Sequence, residues 1–120
     1  MIVIRHIYSR DLLVEGKILD LWDLPSQSNI HVNIRVTIGF EENNFEEVFD
    51  SAIITGSLVK ELIDDSAIAP YGGKVFKYKE FEPVSIKSDI YRKIFSRDRI
   101  DFRDSISELS KIMEWDFEGM

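Results

Sequence analysis

Every second residue between positions 30 and 38 is aliphatic and β-branched. Ile30, Val32, Ile34, Val36 and Ile38 fall on one side, and His31, Asn33, Arg35 and Thr37 on the other. A period of two held this long describes a strand with one buried face and one face that is wet or covered by a partner. Gly39 ends the run, and Glu41-Glu42-Asn43-Asn44 supplies turn residues. Residues 48–54 are therefore expected to return as an antiparallel neighbour.

Other segments add to this sheet. Residues 2–8 alternate with β-branched side chains, residues 74–81 read as a further strand, and residues 114–118 alternate again at the close. Helical spacing places Leu58, Val59, Leu62 and Ile63 in a short stripe, with Thr55 as a cap. Ile86, Ile90 and Ile94 recur at four-residue steps, with Ser85 or Ser88 as a cap. Phe102, Ile106, Leu109, Ile112 and Met113 share a third helical face behind Asp101. Hairpins followed by helices predict an α+β fold: an antiparallel sheet of about four to five strands packed on two to three helices as a two-layer sandwich. A chain of 120 residues makes this one domain, residues 1–120, with a core large enough to need no staple.

Composition removes whole classes of chemistry. With no cysteine, thiolate catalysis, iron–sulfur clusters, disulfides and cysteine zinc sites are all excluded. No apolar run reaches the about 18 residues of a membrane span. The start, Met1-Ile2-Val3-Ile4-Arg5-His6, lacks the pattern of a secretory signal, so the expected location is cytoplasmic.

Charge is distributed unevenly. Between residues 41 and 65, eight acids (Glu41, Glu42, Glu46, Glu47, Asp50, Glu61, Asp64, Asp65) face one base, Lys60, which equals the whole net charge of −7. Between residues 74 and 104, nine Lys and Arg outnumber six Asp and Glu. Such a chain repels phosphate backbones, and a cationic macromolecule suits it better than nucleic acid. The plainer alternative is a solvated acidic face that keeps the protein soluble.

Motifs of chemistry are sparse. Tyr71-Gly72-Gly73-Lys74 lacks the surroundings of a phosphate-binding loop and reads as a turn. His6 and His31 lie inside strands, where surface histidines are commoner than metal ligands. The acids fall on turns and element ends, except Asp50, which shares a strand face with Val48, Ala52 and Ile54 and must be paired or sit at the rim if that face packs inward. No catalytic residue, cofactor or metal site is expected. Trp22, in the polar loop of residues 20–29, is either an interface anchor or a lid on the core.

The closing Glu114-Trp115-Asp116-Phe117-Glu118 follows an amphipathic helix, and Leu21-Trp22-Asp23-Leu24-Pro25 leads into an alternating strand that stops at Ile38-Gly39. Together with the acidic segment before the strand ending at Thr55, and with Phe102 in the second late helix, this arrangement resembles the immunity protein 8 family of bacterial polymorphic-toxin and contact-dependent growth inhibition systems. Asp116 stands where that family usually has Glu, and Gly56-Ser57 where Pro and a Trp-containing helix start are common. The resemblance implies a cytoplasmic protein that binds a cognate toxin domain, the C-terminal part of a large secreted protein, without catalysis. It assigns no contact residues.

The charge pattern supplies those candidates. Glu41, Glu42, Glu46, Glu47 and Asp50 come first, then Asp64 and Asp65, with Trp22 as anchor and Asp116 and Glu118 as a second patch, all directed at a basic, nuclease-type toxin. Neither nucleic acid nor a membrane is an expected partner. Two other readings remain open: an interaction module that dimerises through the strand edge at residues 30–38 or 74–81, and a small carboxylate-dependent hydrolase.

Overall fold

In a computed structural model, residues 1–57, 59, 71 and 73–116 are described. The short helix expected around Leu58, Leu62 and Ile63, and the candidates Asp64, Asp65 and Glu118, lie outside the described residues. Among those described, the fold is a mostly antiparallel five-stranded sheet backed by two helices, an α+β sandwich with a small two-stranded sheet beside it.

The strands are β1 (Ile2–Tyr8), β2 (Leu13–Val14), β3 (Lys17–Ile18), β4 (His31–Phe40), β5 (Glu46–Thr55), β6 (Phe76–Tyr78) and β7 (Glu114–Trp115). The helices are α1 (Pro83–Phe95) and α2 (Phe102–Leu109). In the sheet the order is β1-β4-β5-β6, and β7 also pairs with β5. The alternating segment thus becomes β4, hydrogen-bonded to β1 on one side and β5 on the other. Residues 35–38 are paired on both sides, by β1 and by β5, so this part of the run offers no free edge to a second copy.

Burial follows the period of two. Val32, Ile34, Val36 and Ile38 of β4 and Phe49 and Ile53 of β5 are at most 4% exposed. They meet Ile86, Ile90 and Ile94 of α1 and Ile106 and Leu109 of α2 in one core. These helices start where the apolar spacing says, but α2 ends at Leu109, so that Ile112 and Met113, expected on its face, lie in the turn after it, and the cap of α1 differs from expectation. Glu82, not Ser85 or Ser88, accepts the hydrogen bond from the Ser85 N–H, with Pro83 in the first turn where its missing N–H costs nothing. Asp101 caps α2 as the sequence indicates.

The edge of β5 is shared. Phe49 and Asp50 pair with β7, whereas residues 53–55 pair with β6, and that second pairing is parallel. The sequence indicates a strand over 74–81 in an antiparallel sheet; the strand formed is only Phe76–Tyr78, and the twenty residues between Thr55 and Phe76 permit the crossover that its parallel pairing requires. Between the two partners, the Ser51 hydroxyl donates to the Lys74 carbonyl at 2.8 Å. Thr55 belongs to β5, and its hydroxyl is committed to the Ser28 carbonyl and the Ile30 N–H, at 2.8 and 2.9 Å. After it, Gly56 turns with φ +64°, and a Cβ there would collide with Asn29 Oδ1.

A part-buried polar tie holds α1 to β6. The Tyr78 hydroxyl donates to Asp89 Oδ2 at 2.7 Å, and Lys93 and Arg92 pair with the same carboxylate. Burial opposes ionisation of Asp89, but hydrogen bonds from Lys93, Tyr78 and Arg92 outweigh it and lower its pKa from the usual 3.8 to about 2. A depressed carboxylate pKa adds stability above the unfolded value, and that stability is lost as pH falls from about 4 towards 2. Asp89→Asn is therefore expected to cost about 2 kcal/mol at pH 7, with the deficit shrinking across that acid window. Urea unfolding midpoints of both proteins at pH 7 and pH 3 check it; a pH-independent deficit would contradict the linkage.

Candidate partner-binding site

The β4–β5 turn gathers four of the predicted acids. Phe40 ends β4 in the core, and Glu41 to Asn44 turn the chain into β5, so Glu41, Glu42 and Glu46 stand exposed at one end of the sheet. Asn43 fixes the turn locally, its side-chain oxygen accepting the Phe45 N–H at 2.8 Å. Alternation in β5 then sends Glu46 and Glu47 to opposite faces, opposite Gly39 and Ile38 respectively.

At the centre of this tip is a residue that the sequence reading passed over. Phe45 is 57% exposed, yet its ring is not loose. It packs on Phe102 at 5.6 Å, and Phe102 packs on Phe40 at 5.7 Å, a stack that leads into the core. Its position in a turn between acids was the available signal, since an aromatic there has no strand or helix period to explain it.

The carboxylates have local counter-charges. Glu42 pairs with the Met1 amine, and Arg5 Nε lies 3.7 Å from Glu46. Both pairs are about half exposed or more, so each contributes about 0–1 kcal/mol and can exchange for an incoming cation at little cost. Glu47 differs: its Oε2 accepts the Trp115 indole N–H at 2.9 Å and fastens the tip to β7.

Asp50 and Asp116 lie apart from the tip, Asp50 being four residues further along β5 than Glu46 on the same sheet face. Arg35 donates to Asp50 through Nε at 3.0 Å and through its terminal nitrogen at 3.3 Å, and that nitrogen also meets Asp116 at 3.1 Å. The hydrogen bonds that Arg35 donates to Asp50 raise the Arg35 pKa. Asp50 is thus paired, as its strand position required. Nearby, Tyr71 donates to Asn33 at 2.7 Å, and burial, together with Asp50 and Asp11, pushes the Tyr71 phenol up. Ala52 and Ile54 pack with Val59, Tyr71 and Val75 on this same face, which is therefore partly covered rather than wet.

Trp22 sits elsewhere again. It lies in a one-turn 3₁₀ helix capped by Asp20 and is half-buried beside Val84, Lys87 and Tyr91 of α1. The strands place His6 opposite Thr37 and His31 opposite Ile54, so the two histidines do not meet across a strand pair. Among the described residues no group of three or more His, Asp or Glu is placed to hold a metal ion, and no helix is long and apolar enough to cross a membrane.

The tip sets exposed, weakly paired carboxylates around an anchored aromatic ring, an apolar centre within a charged rim. The fold is that of a small α+β sandwich protein. The family model for Immunity protein 8 matches residues 8–120, nearly the whole chain, and the chain belongs to that family. No curated protein and no solved structure gives a match. Membership marks the chain as an immunity protein against a toxin.

Proposed function

We propose that this protein neutralises one cognate toxin domain in the cytoplasm by direct binding, with Glu41, Glu42, Glu46 and Glu47 meeting a cationic, nuclease-type surface and Phe45 seated at the centre of the contact. Family membership supports the role, and the acid-ringed aromatic at the β4–β5 tip is the observation that carries the mode. Opposite charge accelerates encounter and selects the partner, while a buried aromatic supplies the slow dissociation that protection from a lethal enzyme demands. Asp50 and Asp116 serve a different end: locked to Arg35, they join β4, β5 and the residues after β7 and so support the strand that carries the tip. No reaction is assigned to this chain; its work is occupation of a surface.

The test is protection. The C-terminal domain of the protein encoded immediately upstream, expressed alone in a host cell, is expected to arrest growth, and co-expression of this chain is expected to restore it. The two should co-purify as a stable complex. Arrest that this chain does not relieve, or the lack of any complex, would overturn the proposal.

A further inference from the structure

We infer that the toxin footprint continues from the acidic tip along the β1 edge into an apolar groove built on Trp22 and Tyr91, which receives an apolar ridge bearing a carboxylate. This inference rests on the proposed toxin binding and extends it to a second, chemically different half of the contact.

Size is the first argument. The tip comprises only residues 41–47, whereas stable complexes use about 20–30 residues a side and about 800 Å² per partner. The contact must therefore extend, and continuity shows where. Arg5, which reaches Glu46 of the tip, also lines a groove of about 320 Å³ beside β1 with Tyr8, Leu19 and Trp22. Across Trp22, Lys87 and Tyr91 this groove joins a second, of about 490 Å³, bordered by Val84.

Exposed aliphatic side chains line these grooves, Ile18, Leu19 and Val84, and Leu13 and Val14 follow on the adjoining hairpin. Leu13, Val14, Ile18 and Leu19 are 58%, 51%, 45% and 46% exposed, and Val84 is 76% exposed. The first three of these lie on the β2–β3 hairpin, where a two-strand ribbon is ordinarily marginal in water. This ribbon is held open by its turn: Glu15 and Gly16 both have positive φ, 50° and 81°, the geometry that matches strand twist in a two-residue hairpin. A non-glycine residue kept in that region, displaying aliphatic side chains to solvent, fits a surface prepared for a partner.

Charge fixes the partner's chemistry. Lys87 Nζ lies 5.7 Å from the Tyr91 ring centre and Arg5 also lines the groove, while the acid there, Asp20, accepts the Trp22 N–H at 2.9 Å, so two cations beside aromatic faces outweigh one committed carboxylate. It complements an apolar side-chain ridge with an adjacent carboxylate, whereas the tip complements lysine and arginine. A toxin must satisfy both halves at the right spacing, which gives one partner preference over other cationic proteins.

The experiment uses the full-length chain and the purified C-terminal domain encoded immediately upstream, with binding kinetics by surface plasmon resonance. Val84→Asp, Ile18→Ser and Tyr91→Ala are each expected to raise the dissociation rate constant tenfold or more while the association rate constant changes less than threefold. Val84 and Ile18 are exposed enough that those variants fold, which matched melting curves verify. Tight binding with dissociation unchanged in Val84→Asp and Ile18→Ser overturns this inference and leaves the proposed function standing. No binding by the unaltered chain overturns both. A wild-type dimer in sedimentation that Val84→Asp dissociates also overturns it, since the groove would then be covered by a second copy.

Discussion

Replacing Glu41, Glu42 and Glu46 by lysine is expected to slow association with the toxin domain about 100-fold at low salt and to leave dissociation nearly unchanged. The three substitutions invert the charge of the exposed tip, where these carboxylates sit in water at the end of the sheet. Electrostatic steering moves association rates by about 10–10³-fold, and exposed charges act on encounter more than on the lifetime of the complex. Because screening shortens the reach of the field to about 8 Å at physiological salt, the gap between variant and wild type should narrow as salt rises. Stopped-flow association at two ionic strengths measures this. A variant that associates at the wild-type rate at low salt would remove the tip from the encounter surface. Phe45→Ala separates the two contributions of the tip, since it is expected to act on dissociation instead.

Phe49→Ala is expected to cost about 3–5 kcal/mol, the usual range for deleting a fully buried aromatic ring. Phe49 has no exposed surface and pairs with Val36 of β4 on one side and Trp115 of β7 on the other. It is the point at which the core, the central hairpin and the closing strand meet. Against a total of about 5–15 kcal/mol for a domain, such a loss leaves a protein close to unfolding. The urea midpoint should fall with the slope unchanged. Loosening Trp115 also slackens its bond to Glu47, so the tip loses one of the contacts that fasten it to the sheet. A loss below about 1.5 kcal/mol would contradict the placement of this ring.

The sheet was legible because its strands carry period-two patterns that only a one-sided burial satisfies. In β4 the alternation maps residue by residue onto buried and half-exposed positions. The late helices were legible from isoleucine spacing, and Asp101 from cap chemistry. Parallel pairing of β6 was not, since three residues carry no directional signal and register there depends on a crossover. The β2–β3 hairpin escaped notice for a related reason: two-residue strands are too short for periodicity, and Glu15-Gly16 is a weaker turn sequence than Asn-Gly or Asp-Gly.

The site was legible as charge but not as geometry. Composition located the acids, but it could not separate exposed Glu42 and Glu46 from Asp50, which a bidentate arginine two strand positions from Thr37 takes up across the sheet. Partner choice by a carboxylate depends on which strand lies opposite, and that is a tertiary fact. Trp22 was visible as an aromatic in a polar loop, and only its packing against α1 places it in a groove apart from the acids. Phe45 needed the ring of Phe102, 57 positions away in the chain, to become a fixed anchor.

Amide hydrogen exchange of this protein, alone and saturated with the C-terminal domain encoded upstream, tests the central claim most directly. Binding through the acid-ringed aromatic predicts strong slowing of exchange across residues 41–47, with additional slowing at residues 13–22. Slowed exchange confined to other parts of the sheet or to α2, with residues 41–47 exchanging as in the free protein, would contradict it.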